Sequence, residues 1–190
     1  LRMNRISRVL LVGFAVCGHL TAGQCAIKNK EYDRMRSDEP IRGPYLATYE
    51  RDVVAETLWL EARSEGKTGI DAVATVIMNR TNREIARGCD ALRPEIMAAV
   101  CLKPNQFSCW NGMLSLKVAS RLIAQKEFGN ENERRIWDYC VETATKMVRG
   151  EFEVVGPYTH FYAMRMASAP SWSKDLRQTV RIGNHVFGRL

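Results

Sequence analysis

The 190-residue chain lacks the patterns by which most metal and nucleophile chemistry is recognised. It has no CxxC, no HExxH and no GxSxG elbow, and only His160 and His185 stand beyond residue 26. A zinc site needs three or four convergent nitrogen, sulfur or carboxylate ligands, and the serine of an α/β-hydrolase needs its strained elbow. No metal or cofactor is therefore expected. Gly66-Lys67-Thr68 has the tail of a phosphate-binding loop, but Glu61 stands where the first glycine belongs and no strand precedes it. Internal repeats and low-complexity tracts are also missing. So is any uninterrupted apolar run of about 20 residues, which excludes a polytopic membrane protein. No dense Lys/Arg cluster alternates with stacking aromatics, so a nucleic-acid partner is not expected. The net charge of +7 comes from 28 basic and 21 acidic residues. Arg2, Arg5 and Arg8 fall in the first 26 positions, which hold no acid, so the remainder carries 25 against 21, or +4. That mild bias suits an anionic polymer.

What is present begins with those arginines. They precede an apolar run from Val9 to Val16 that weakens through Cys17-Gly18-His19-Leu20 into the small residues Thr21-Ala22-Gly23. Charged start, short apolar stretch and small-residue exit are the layout of a secretory signal. Residues 1–26 are read as a signal peptide, or as a signal-anchor that touches the membrane transiently and is released uncleaved. Export to the periplasm, envelope or exterior is expected, and the chain is expected to act as a monomer. Cysteine usage agrees with an oxidising compartment. Cys89, Cys101, Cys109 and Cys140 suffice for two disulfides, in any of three connectivities. Residues 27–44 are charged and turn-rich and read as a linker. The folded domain is expected over 45–190.

Within it, Val54, Leu58, Glu61 and Glu65 recur at helical spacing and share one stripe of a helix beginning near Asp52. Gly66 to Gly69 end it before a second helix with Ile70, Val73, Ala74 and Ile77 inward. A short helix is expected over Ile96 to Val100, opened by Pro94, and another over Leu116 to Phe128. The clearest amphipathic pattern is Ile136, Cys140, Val141, Ala144, Met147 and Val148, ended by Gly150. The period then changes towards alternation. Tyr158 to Met164 and Gln178 to Ile182 read as strands, and Gly183-Asn184 turns the second into His185-Val186-Phe187. The fold class is α+β, helices first and a small C-terminal antiparallel sheet after them.

Glu61 is the leading candidate for chemistry. A carboxylate on an apolar stripe loses hydration, which favours its protonated form, and a retained proton is what a general acid needs. The bland alternative is an ion pair with Arg63 or Arg80. Glu65, one turn on, is a second carboxylate, an orienting group or a solvated helix end. Gln106-Phe107-Ser108-Cys109-Trp110-Asn111-Gly112 forms a polar, aromatic loop of the kind that grips a sugar's hydroxyls and its apolar face. Packed loops of ordinary proteins look alike. Tyr158 to Tyr162 reads equally as a cleft strand or a core edge, with Trp172 nearby.

The segments Leu60-Glu61-Ala62-Arg63-Ser64-Glu65-Gly66, Ala72 to Arg80, Asn105-Gln106-Phe107-Ser108, Thr159-His160-Phe161-Tyr162, Pro170-Ser171-Trp172 and Ile182 to Phe187 follow in this order. Together they resemble the SleB-type cell wall hydrolases, named for spore-cortex-lytic enzymes and found also in other bacteria and phages. The resemblance covers about Asp52 to Arg189. It implies a peptidoglycan-cleaving lytic transglycosylase acting on glycan strands, in wall remodelling or phage-type lysis. Glu61 falls on the family's catalytic glutamate, Glu65 on its second glutamate, and Gln106, Phe107 and Ser108 on its Q-F-S motif. Leu60 and Ser64 replace two glycines of the family pattern, and Met97 stands near where relatives often carry a cysteine. Gln106, Ser108 and Tyr162, then His160 and Trp172, are the expected substrate-orienting groups. The rival readings are a muramidase that uses water, an inert wall-binding or virion module, and charge-driven nucleic-acid binding.

Overall fold

The computed structural model describes residues 39–88, 95–111 and 128–190, with side chains from residue 47. The signal segment, the linker up to residue 38, Cys89, Pro94 and nearly all of the helix expected over Leu116 to Phe128 lie outside the described residues.

Helix α1 spans Glu39–Ala62. Pro40 sits in its first turn, where the missing N–H has no intrahelical partner to lose. The helix thus starts well before Asp52, which lies inside it and pairs with Arg51 at 2.5 Å instead of capping the start. The last six residues of the expected linker belong to its opening turns. Val54, Ala55, Leu58 and Ala62 are fully buried, the i, i+4 stripe that drives such a helix onto a core. Burying a leucine of this kind stabilises the fold by about 1.5–3 kcal/mol.

The helix does not continue to Glu65. After Ala62 the chain tightens into a 3-10 turn, Arg63–Glu65, and leaves it through Gly66 at φ 68°, a left-handed conformation that glycine adopts without a Cβ penalty. Helix α2 follows over Gly66–Ala86. Ile70, Val73, Ala74 and Ile77 are fully buried as the period requires, and Ala72 and Val76 join them. The short α3 covers Ile96–Leu102. Helix α4, Glu131–Val148, opens on Asn130, whose side chain accepts the N–H of Glu133. Its inner face carries Cys140, Ala144 and Met147. Helix α1 packs along α4, α3 and α2, so it is the central rod of the helical layer.

Three strands complete the fold: β1 His160–Ala163, β2 Arg177–Ile182 and β3 His185–Arg189. Their order is β1-β3-β2, all antiparallel, with β3 in the middle. Gly183-Asn184 makes the β2–β3 turn, with Gly183 at φ 56°. Opposite residues in a sheet share a face. Phe161 therefore lies beside Phe187, which is fully buried and 5.3 Å from it between ring centroids. His160 and Tyr162 point to the other face, where Trp172 meets both at 5.3 and 6.0 Å. The α+β fold is as the sequence indicates, helices first and a small antiparallel sheet last. Among the described residues, no helix is long and apolar enough to cross a membrane.

The cysteines depart from expectation. Cys101, Cys109 and Cys140 are free thiols, so the two-disulfide framework over Cys89, Cys101, Cys109 and Cys140 is not formed. A disulfide needs matched Cα separation and Cβ direction, which a count of cysteines does not supply. Cys101 and Cys140 are instead apolar fillers of the core, and burial pushes both thiols up to about 12.

Candidate active site

Glu61 lies in the last turn of α1, half-buried, facing the loop that follows α3. Its Oε1 accepts the backbone N–H of Cys109 at 2.8 Å and the Ser108 hydroxyl at 3.0 Å. The Cys109 N–H is available because it stands in the first turn of the 3-10 segment Ser108–Trp110, where helical N–H groups have no intrahelical partner. The ion pair offered as an ordinary explanation of Glu61 is not formed. Arg63 instead lies over the Trp59 ring at 4.3 Å, and Arg80 donates to two backbone carbonyls. Glu61 is thus oriented by neutral donors, the Cys109 thiol among them, with no salt bridge among the described residues.

The loop is held from three sides. Trp110 Nε1 donates to the Thr57 hydroxyl at 2.9 Å, one turn before Glu61 on α1. Arg80 donates from Nη1 to the Gln106 carbonyl at 3.1 Å and from Nε to the Thr159 carbonyl at 2.8 Å. Its guanidinium also covers the Phe107 ring at 5.0 Å. Burial, reinforced by Arg83, draws Arg80 down to about 10, which leaves it charged at neutral pH. Asn79 donates from Nδ2 to the carbonyls of Gly156 and Tyr158 at 3.1 and 2.8 Å. The Asn79-Arg80 pair of α2 therefore ties both the Gln106 loop and the approach to β1 onto the helical layer.

The expected site residues divide. Ser108 meets Glu61 directly. Phe107 is only 1% exposed and stacks near Phe161 at 6.2 Å. It anchors the loop from below and is not open to a substrate, because an aromatic ring in the loop's interior position adds more by filling the core. Gln106 and His160 line one cavity with Arg80 and Arg83. Burial, with Arg80 and Arg83 beyond it, lowers His160 to about 4, so its ring is neutral at pH 7. Its Nδ1 lies 3.0 Å from the Thr159 hydroxyl. Tyr162 and Trp172 cluster with His160, and neither hydrogen-bonds Glu61 among the described residues.

Glu65 does not extend the stripe of Glu61, because the 3-10 turn changes its direction. Its carboxylate side chain, 3% exposed, reaches the β2–β3 turn. Oε2 accepts the Asn184 N–H at 2.7 Å, and Oε1 accepts Ser64 Oγ at 3.0 Å and Asn184 Nδ2 at 3.4 Å, with His185 Nδ1 at 3.6 Å. Burial works against its charge. The hydrogen bonds from Asn184 and Ser64 and the neighbouring His185 outweigh that and hold it below the usual carboxylate range. A Cβ on Gly183 would collide with the same carboxylate.

With this geometry in place, a family model described as Cell Wall Hydrolase matches residues 64–188. The chain belongs to the cell wall hydrolase family. The SleB-type resemblance of the motifs is thereby upheld, and the protein is a peptidoglycan-cleaving enzyme by family, acting at the cell envelope or outside the cell. The matched stretch includes Glu65, Gln106, Phe107, Ser108, His160, Tyr162 and Trp172, and begins three residues after Glu61. Neither a curated protein nor a solved structure matches the chain.

Sequence reasoning overlooked Thr57 and the Cys109 N–H, and gave Arg80 and Asn184 no part in the site. Thr57 was detectable, since it lies four residues before Glu61 on the same helix face. A backbone N–H has no residue-type signature and was not.

Proposed function

We propose that the protein is an exported lytic transglycosylase that cleaves the bond between N-acetylmuramic acid and N-acetylglucosamine, with Glu61 as its acid and base. The observation that supports this reading best is the different employment of the two glutamates. Glu61 faces a half-open loop and is oriented by Ser108 Oγ and the Cys109 N–H. Glu65 is enclosed and occupied by the β2–β3 turn. An inverting hydrolase needs a second carboxylate about 6.5–9.5 Å from the acid to activate water, and a retaining one needs a nucleophile at about 5 Å. Glu65 is poorly placed for either task, whereas a transglycosylase can work with one carboxyl group.

In the reaction, protonated Glu61 donates its proton to the glycosidic oxygen as the bond to muramic C1 breaks. The N-acetylglucosamine leaves as an alcohol, and an oxocarbenium-like centre forms at C1. The Glu61 carboxylate then takes the proton of the muramic C6 hydroxyl while that oxygen bonds to C1. A 1,6-anhydro ring results, Glu61 is protonated again, and no water is consumed. Ser108 keeps the carboxylate aimed, and Gln106, His160, Tyr162 and Trp172 are the groups proposed to orient sugars. Phe107 and Glu65 act beneath them as supports.

The test is mass spectrometry of purified peptidoglycan digested with the wild type and with Glu61→Gln. Anhydro-muropeptides from the wild type alone are expected. Reducing muramic ends would establish hydrolysis, and intact glycan from both folded proteins would leave only a binding module.

A further inference from the structure

A cavity of about 210 Å³ opens between the C-terminal half of α2, the end of α3 and β1. Its cations are Arg80, Arg83, Arg87 and Lys103, and its one carboxylate is Glu84. Glu84 is shared, 3.1 Å from Arg87 and 3.5 Å from Lys103. Arg80 turns towards the Thr159 and Gln106 carbonyls, and Arg83 donates to the Leu190 backbone oxygen at 2.7 Å. Neutral carbonyls satisfy the donors of Arg80 without cancelling its charge, so the cavity keeps an excess of positive charge. His160 stands on its wall, where Arg80 and Arg83 add to burial in opposing its protonation. The space admits a carboxylate and its flanking atoms.

We infer that this cavity binds a carboxylate of the peptide that the wall polymer carries on its muramic acid, as a second substrate contact beside Glu61. The inference rests on the peptidoglycan reading of the Glu61 site. The N-acetylated, peptide-bearing sugars around the scissile bond are neutral, so an arginine-rich pocket is not explained by the glycan. The peptide on the lactyl group supplies the anions. Distance permits the connection. Gln106 lines the cavity while Ser108, two residues later, touches Glu61, and two residues of chain span at most about 7 Å.

The test measures binding of the full chain carrying Glu61→Gln, which leaves the wall uncut. Arg87 and Lys103 are the residues to reverse, because their side chains are 68% and 46% exposed and their change should leave the core intact. On peptidoglycan freed of phosphate-linked polymers by hydrofluoric acid, adding Arg87→Glu and Lys103→Glu should weaken binding about tenfold. On the same glycan stripped of peptides by an amidase, with the lactyl carboxylate that this cleavage exposes capped as its amide, the two proteins should bind alike. Equal binding to the intact material overturns the proposal. So does a loss of the same size on stripped glycan, which would mark a general charge effect. A loss seen only before the acid treatment assigns the cavity to a phosphate and overturns the peptide assignment. Because binding is read and turnover is not, a wild type that releases no sugar defeats the transglycosylase reading while this test still stands.

Discussion

Replacing Glu65 by Gln keeps the shape of the side chain and removes the charge that the β2–β3 turn is built around. The carboxylate receives the Asn184 N–H at 2.7 Å, Ser64 Oγ at 3.0 Å and Asn184 Nδ2 at 3.4 Å. In the Glu65→Gln variant one of the two acceptors becomes an NH2, which meets donors and can accept from none of them. A buried hydrogen bond to a charged group is worth about 1.5–3 kcal/mol, so Glu65→Gln should cost about 2–3 kcal/mol. For a domain of this size that lowers Tm by roughly 5–10 °C. Thermal and urea melts of the full chain at pH 7 measure it. The sign with pH follows from the direction of the shift. A carboxylate held below its ordinary value of 4.5 stabilises the fold above that pH and loses the effect as pH falls through its folded value. Wild type and variant should therefore differ most at neutral pH and converge in acid. Gly183→Ala, which drives a Cβ into the same carboxylate, should give the same loss of stability. A Glu65→Gln protein that melts like the wild type but no longer cleaves peptidoglycan would refute the clamp. Glu65 would then be acting on substrate or water, and the case for a single carboxylate would fall with it.

Two further outcomes follow from neighbouring groups. Glu50 is 3% exposed, and burial raises it to about 7 despite the hydrogen bond it accepts from the Met97 N–H. The folded state therefore favours its protonated form, a stability complete below pH 4.5 and lost as pH rises through about 7. Glu50→Gln, neutral throughout, should nearly match the wild type at pH 4.5 and exceed it by about 3 kcal/mol at pH 8.5, at 1.36 kcal/mol per pKa unit. Parallel stability curves for the two proteins would contradict this. Ser108→Ala removes one of the donors that aim Glu61. It should leave the melting curve in place and lower kcat about tenfold, the equivalent of one hydrogen bond of about 1.4 kcal/mol, with little change in KM. An unchanged kcat would remove Ser108 from the catalytic arrangement.

The parts legible in the sequence are those written in neighbouring residues. The stripe of Val54 and Leu58, the inward set from Ile70 to Ile77 and the pattern from Ile136 to Val148 each became a helix on the expected face. Burial repeats every three or four residues along such an element, so the repeat is readable without its neighbours. The Gly183-Asn184 turn was legible for a related reason, since the φ of 56° at Gly183 belongs to a conformation few other residues adopt. Glu61 stood out because a carboxylate interrupts an apolar stripe.

Other features had no local mark. Glu65 stays in register with Glu61 only if the helix continues. A 3-10 turn of three residues ended it, so the two carboxylates serve different partners. A count of cysteines said nothing of where Cys101, Cys109 and Cys140 would lie. By itself the sequence determined the α+β class, the helical faces, the hairpin and the choice of Glu61 as the carboxylate to follow. Tertiary structure alone decided what surrounds it. The Cys109 N–H reaches Glu61 across 48 positions, Arg80 reaches Thr159 across 79, and Asn184 reaches Glu65 across 119. Contacts so far apart in the chain carry no periodicity, and they exist only once packing has fixed the layers relative to one another.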